Sequence, residues 1–378
     1  MKKLFSLLLI LCMLYNPSMA CLNYFYGTDK DGHTHEMTYV LKDFFYKNFN
    51  TQKHLNSLRE LNKKLEKEHS YKYLSDYSVT LMKLGKTDIA VDILQVLHYH
   101  YPNDYKIVAN LGTAYELNSE LDSALKYIKK GIKLNPNSHG GSEWIHVKIL
   151  EAKQKITQNP SYLSQNSILA LSETQKNDKE VYTQINIQLR ERFPFSSPPN
   201  DVMAHLLIEL AECSENVESV EYANALYKMV KNYYKYDSDY LDEKIKETQK
   251  LKQKYAKEKI ENPADTSRET NHDRLTYLSY KQFLQEFPQI KINWNKINTD
   301  TDSLLSLAKL KKMPKSIQDK TTTTENNEPK DVEIDTDKNK YEPAIKEKFI
   351  HGGINYPFLG LFIVVIVLLI IYFIIRKN

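Results

Sequence analysis

The stretch that decides the fold runs from Tyr105 to Ser138: YKIVANLGTAYELNSELDSALKYIKKGIKLNPNS. Its 34 residues align without a gap on the preceding window, Tyr71–Asp104: YKYLSDYSVTLMKLGKTDIAVDILQVLHYHYPND. Ala90 and Ala124 share one slot, as do Leu94 and Ile128, Leu97 and Gly131, and Pro102 and Pro136. Each window breaks at a short polar turn, Lys83–Thr87 in the first and Asn118–Glu120 in the second. Ile89, Ile93, Val96 and Leu97, and then Leu121, Leu125 and Ile128, recur at three- and four-residue spacing, the period of an amphipathic helix. Ala90 and Ala124 are small where two helices approach closely, and Pro102 and Pro136 end one hairpin and open the next. A hairpin with one apolar face cannot cover it alone, so the pattern predicts hairpins stacked side by side.

The second window, Leu111-Gly112-x-x-Tyr115 followed by Ala124, Ile128, Gly131 and Pro136, resembles the tetratricopeptide repeat at its signature spacing. The first window departs from it, with Tyr77-Ser78 in place of Leu-Gly and Leu81 in place of the Tyr. The resemblance implies an all-α, tetratricopeptide-like solenoid of helical hairpins. It also implies that the first helix of each hairpin lines a groove for a protein or peptide partner. That groove would comprise Lys72, Ser75, Val79, Met82 and Lys83 from one repeat and Lys106, Ala109, Asn110, Thr113, Glu116 and Leu117 from the next. Lysines among small and apolar side chains suit an extended or helical peptide of acidic character. The carboxylate clamp of chaperone-binding members is not reproduced: Ser75 and Val79 stand where it needs Lys and Asn, although Asn110 fits one slot.

Two repeats are too few to stand alone, so degenerate units are expected on either side. Upstream, Leu55, Leu58, Leu61 and Leu65 stripe a helix near 51–69, pairing with a segment near Met37–Phe49. Downstream, Ser142 is a candidate N-cap, and Ile145, Ile149, Ala152 and Ile156 stripe a helix over 142–157. An irregular stretch with Pro160 and Phe193–Pro199 precedes helices at 201–213 and 217–234. Ala223, Tyr227 and Val230 there repeat the spacing of Ala124, Ile128 and Gly131. A charged helix follows near 239–261. Residues 262–353 read as a linker and largely disordered stalk, with a short helix near 275–287. From Lys311 to Lys348 the chain has too few large apolar residues to offset ordering entropy.

Both ends carry membrane signals. Lys2 and Lys3, the apolar run Leu4–Leu14 and Ser18-Met19-Ala20 have the layout of a signal peptide over 1–20. Cys21 then resembles the lipidated cysteine of bacterial lipoproteins, with Ser18 where that motif prefers a Leu-like residue. The 20 residues from Tyr356 to Ile375 carry no charge, which at helical rise covers about 30 Å, the thickness of a bilayer core. With a span over 354–375, Arg376 and Lys377 in a cytoplasmic tail place the bulk of the chain outside the cytoplasm. The expected domains are therefore 21–70, repeats 71–104 and 105–138, a helical block 139–261, a stalk and an anchor.

Composition narrows the chemistry. Gly is 10 and Pro is 13 of 378, so tight turns are scarce, which argues against a barrel or sandwich. Lys and Arg exceed Asp and Glu by 52 to 48, a balance that does not mark a nucleic-acid binder. Gly27-x-x-x-x-Gly32-His33-Thr34 lacks the Lys of a P-loop, and Gly85-Lys86-Thr87 lacks its first Gly. His33, His35 and Glu36 near Asp29 and Asp31 are the one group of metal-ligand type, while His98 and His100, two apart on a helix, face away from each other. No nucleophile–base pairing stands out, and no cofactor is expected. The expectation is a non-enzymatic scaffold for protein–protein interaction. Its alternatives are an envelope protein that binds or uses metal through His33 and His35, and one that self-associates.

Overall fold

The computed structural model describes residues 26–36, 50–261, 275–288 and 290–314. The signal sequence, Cys21, the 37–49 segment, the charged stretch beyond 314 and the uncharged 356–375 run all lie outside these residues. Among the described residues no helix is long and apolar enough to cross a membrane.

Helices dominate, and consecutive helices pack as antiparallel neighbours. The first stack comprises α1 (Thr51–Glu68), α2 (Tyr71–Lys83), α3 (Thr87–His100), α4 (Tyr105–Leu117) and α5 (Leu121–Leu134). Their starts are written in the sequence. Asn50 caps α1, Ser70 caps α2 and Asp104 caps α4, each side chain accepting from a first-turn amide, which satisfies donors that have no intrahelical partner. Gly85 takes φ +83° in the turn between α2 and α3, a conformation that costs a glycine little. It is therefore a turn residue and not a phosphate cradle.

The repeat slots behave as the spacing predicts. Ala90 and Ala124 are fully buried. A Cβ on Gly112 would lie 2.7 Å from Ile128 Cδ1 and 3.1 Å from its backbone nitrogen, so α4 and α5 meet where only hydrogen fits. Even a polar contact repeats at the 34-residue interval: the Tyr71 hydroxyl donates to Asp104 Oδ2 at 3.2 Å, and the Tyr105 hydroxyl pairs with Ser138 Oγ.

Helix α6 (Glu143–Gln158) extends the stack and packs on α5. Ser142 precedes it, but its side chain does not cap; its hydroxyl donates to His139 O and accepts from Gln188 Nε2. After a short α7 (Glu173–Lys176) comes α8 (Lys179–Arg192), inside the stretch read from sequence as irregular. Val181, Tyr182, Ile185 and Leu189 of α8 are all buried. That stripe has helical spacing, and the prolines beyond it hid it. Then follow α9 (Asp201–Val217), α10 (Val220–Met229) with a π-helical turn at Val230–Tyr234, and α11 (Asp239–Glu261).

The interior forms two apolar cores. One lies under α1–α5 and also takes Val147 and Leu150 of α6; the other lies under α8–α11, with Ile145 and Ile149 from the opposite side of α6. Thus α6 is the wall between them.

Two additions correct the sequence reading. Residues Tyr26–Thr28 (β1) and Thr34–Glu36 (β2) pair antiparallel as a small hairpin, so the described residues add one strand pair to a helical fold. Residues 275–314 are not a free stalk. Leu278 and Phe283, flanking and within α12 (Tyr280–Glu286), sit in the second core, whereas Leu304, Leu305, Ala308 and Met313, around α13 (Thr301–Leu307), sit in the first. Four apolar side chains suffice to seat this segment because each is at most 7 % exposed.

Candidate functional site

Helices α2 and α4 lie beside each other with Asn110 Nδ2 donating to Ser75 Oγ at 3.2 Å. Along this shared face Lys72, Lys83 and Lys106 are exposed, and Val79, Ala109, Asn110, Thr113 and Leu117 are half-buried. Thr113 turns its hydroxyl back onto Ala109 O at 3.2 Å, so that hydroxyl is already partnered. Ser75 and Met82 are buried, 6 % and 4 % exposed. They pack between helices and offer a ligand little. Lys72 and Lys106 stand at equivalent repeat positions, so the face carries a row of ammonium groups with no carboxylate paired to them among the described residues.

Glu116 also leaves the groove set, for a different reason. Its carboxylate is buried at the end of α4 and meets three basic side chains. Oε2 accepts from His146 Nε2 at 2.7 Å, and Oε1 accepts from Lys153 Nζ and from Arg192 Nη1, each at 2.7 Å. Burial alone would raise the Glu116 pKa, but Arg192, Lys153 and His146 outweigh it and hold the carboxyl well below the usual range. His146 reaches back to Glu143 Oε2 at 3.3 Å, and His139 Nδ1 lies 2.5 Å from Glu143 Oε1. Burial likewise opposes ionisation of Glu143, while the two histidines pull its pKa down to about 2. This chain of charges ties α4 to α6 and α8. It joins the repeats to the following block through side chains that are largely buried.

The histidines singled out by sequence are placed apart. His98 Nε2 lies 3.3 Å from Lys130 Nζ, and burial with the neighbouring Lys130 and Lys126 lowers its pKa to about 4. His100 Nε2 bonds Lys311 O at 2.8 Å. His33 and His35 do meet, on the buried carboxylate of Asp29: His35 Nε2 is 2.6 Å and His33 Nδ1 3.2 Å from Oδ2, while Oδ1 accepts the Asp31 and His33 amides. Burial raises the Asp29 pKa, but the hydrogen bonds from His35 and the two amides outweigh it and hold the carboxyl ionised more readily than usual. The arrangement closes the β1–β2 turn, where Gly32 takes φ +91°. Among the described residues no group of three or more His, Cys, Asp or Glu side chains is disposed to hold a metal ion.

A cleft of about 520 Å³ opens between α10, α11 and residues 275–282, bordered by Glu221, Lys228, Lys252 and Tyr277. Glu221 is 9 % exposed and accepts from the Thr28 amide. The same side chain thereby holds β1 against α10. Cys213 is fully buried, and burial first, then Glu212 and Glu209, push its thiol up to about 12, so it is no nucleophile.

No protein-family model, curated protein or solved structure matches this chain. The class of protein therefore rests on its own residues and geometry: a stack of packed helical hairpins whose exposed polar face is cationic.

Proposed function

We propose that this protein is a membrane-anchored, extracytoplasmic scaffold of the tetratricopeptide type, which holds partner proteins and carries out no catalysis. The reading is carried by one observation: α2 and α4 present Lys72, Lys83 and Lys106 along the face where Asn110 meets Ser75. Half-buried Val79, Ala109 and Leu117 beside those lysines supply apolar contact, and the ammonium row favours an acidic peptide. The 34-residue spacing of the Tyr71–Asp104 and Tyr105–Ser138 contacts supports the tetratricopeptide assignment. Its placement rests on the sequence: a basic, then apolar N-terminus, and an uncharged run ending in Arg376-Lys377.

The test is crosslinking of the native protein in its membrane, followed by capture from Lys72→Glu, Lys83→Glu and Lys106→Glu triple-variant cells. The captured partner should fall at least tenfold, and added salt should weaken capture by the wild type. Capture that is unchanged by the three reversals removes the proposal.

A further inference from the structure

The segment read as linker occupies a built surface. His69 Nδ1 reaches Leu307 O at 2.8 Å, the Tyr77 hydroxyl donates to Asn298 O at 2.6 Å, and His100 Nε2 bonds Lys311 O at 2.8 Å. Lys86 Nζ lies 5.2 Å from the centroid of the Trp294 ring. Below them Leu304, Leu305, Ala308 and Met313 enter the core formed by Leu58, Leu65, Leu74 and the α3 side chains. Three side chains of the stack thus read main-chain carbonyls, which every peptide has, and apolar seats read a few residues. That is the division of labour found wherever a folded surface recognises a peptide segment.

The occupant behaves as a self-contained unit. Asp300 caps α13, Asn298 Nδ2 donates to Ser303 Oγ, and Lys312 pairs with Asp302, all within the segment. Residues 290–293, just before the segment, and 310–314, at its end, carry no regular structure, and Ile290 is 45 % exposed. The surface is also separate from the lysine row. At about 100° per residue Tyr77 lies roughly 200° round α2 from Ser75 and from Val79.

We propose that the face of α1, α2 and α3 is a peptide-docking site, that residues 294–313 are its resident occupant, and that a partner segment of the same chemistry exchanges with them. The partner segment is an amphipathic helical turn with a Leu-Leu-x-x-Ala pattern, an aromatic residue about ten positions before it, and an apolar residue shortly after. While resident, 294–313 withholds the site, and a partner that binds there must displace it. The inference does not depend on the lysine face.

The experiment uses the full chain with a protease site placed at 290–293. After cutting, a fluorescent synthetic peptide of residues 294–313 is titrated into the cut and the uncut protein. The peptide should bind the cut chain at micromolar concentration and release the C-terminal fragment, and it should bind the uncut chain at least tenfold more weakly. A peptide carrying Leu304→Asp and Leu305→Asp should lose at least tenfold, and Tyr77→Phe in the cut chain should lose several-fold. A cut chain that keeps its helical circular dichroism yet binds no peptide overturns the proposal, whether the fragment stays or leaves. Dimers of the uncut chain that trade this segment between copies would assign the site to self-association and overturn the partner reading as well.

Discussion

The stack α1–α5 and the block α8–α11 are both made of antiparallel helix pairs, yet their interiors differ in kind. The first is mainly aliphatic, with Tyr77 and Tyr115 as its buried aromatics, alanine and glycine at the closest crossings, and its buried carboxylate, Glu116, toward the edge. The second is more aromatic and polar. Phe193, Tyr222, Tyr227, Tyr233 and Tyr234 sit among its leucines and isoleucines, and Glu209, Glu215 and Asn224 are buried beside them. There the helices are held by particular polar contacts: Tyr227 to Glu215 at 2.5 Å, Asn224 to Thr248 at 2.8 Å, and Glu209 Oε1 to the Ile168 and Leu169 amides at 2.7 and 3.0 Å. Regular packing recurs in the sequence; individual latches do not. The comparison teaches which half a repeat pattern can describe.

The largest test of it falls on the seam. Replacing Glu116 with Ala strands Arg192, Lys153 and His146, and should cost about 3–5 kcal/mol in a chemical denaturation experiment. The pH dependence has a definite sign. Glu116 and Glu143 have folded pKa values below the ordinary 4.5, so their contribution is full above that pH. It is lost as the pH falls, for Glu143 down to about 2. His139, raised by its bond to Glu143, works oppositely: its contribution is present below the ordinary 6.5 and lost as pH rises through its higher folded value. The Glu116→Ala protein should therefore show a shallower acid limb than the wild type. An unchanged acid limb would mean that the seam is not held by charge.

Within the regular half, Gly112→Val should destabilise by about 1–3 kcal/mol, because the added carbons meet Ile128 on a helix that has no room to move. A neutral result would show that α4 and α5 are not tightly apposed. In the irregular half the expected effect is smaller and of opposite sign. Burial pushes Glu209 up to about 8, against the amides of Leu169 and Ile168. The folded state therefore holds an extra proton between about pH 4.5 and 8, and stability declines as pH rises through that window. Glu209→Gln keeps an acceptor for both amides and cannot ionise, so thermal melts at pH 8 should show it more stable than the wild type by about 1 kcal/mol or more. The two proteins should converge near pH 5, and parallel curves across the range would refute the latch.

How much was legible follows from the same contrast. The helices at 71–134 could be read because one spacing repeats in two windows, and so could α1, α9 and α11 from their stripes. Helix α8 is marked by Val181, Ile185 and Leu189, but Pro194, Pro198 and Pro199 close behind it give the stretch the composition of a loop. Segment 294–313 was not legible: seven helical residues with Leu304 and Leu305 have no period to measure, and the face that receives them lies more than 200 residues away in sequence. The lysines of the groove were found by analogy to the repeat. Glu116 was misplaced there because its partners, 30, 37 and 76 residues off, form no motif.

One arrangement has a mechanical consequence. The early hairpin β1–β2 rests on the late helices, through the Lys30 amide on Glu215 O and the Tyr255 hydroxyl on Lys30 O, while the late residues 294–313 rest on the early helices. Open repeat arrays fray from either tip because each unit leans only on its neighbours. Here each tip is fastened to the opposite half. While both fastenings hold, the helices between them should melt together; releasing 294–313 should let the first hairpins fray ahead of the second block.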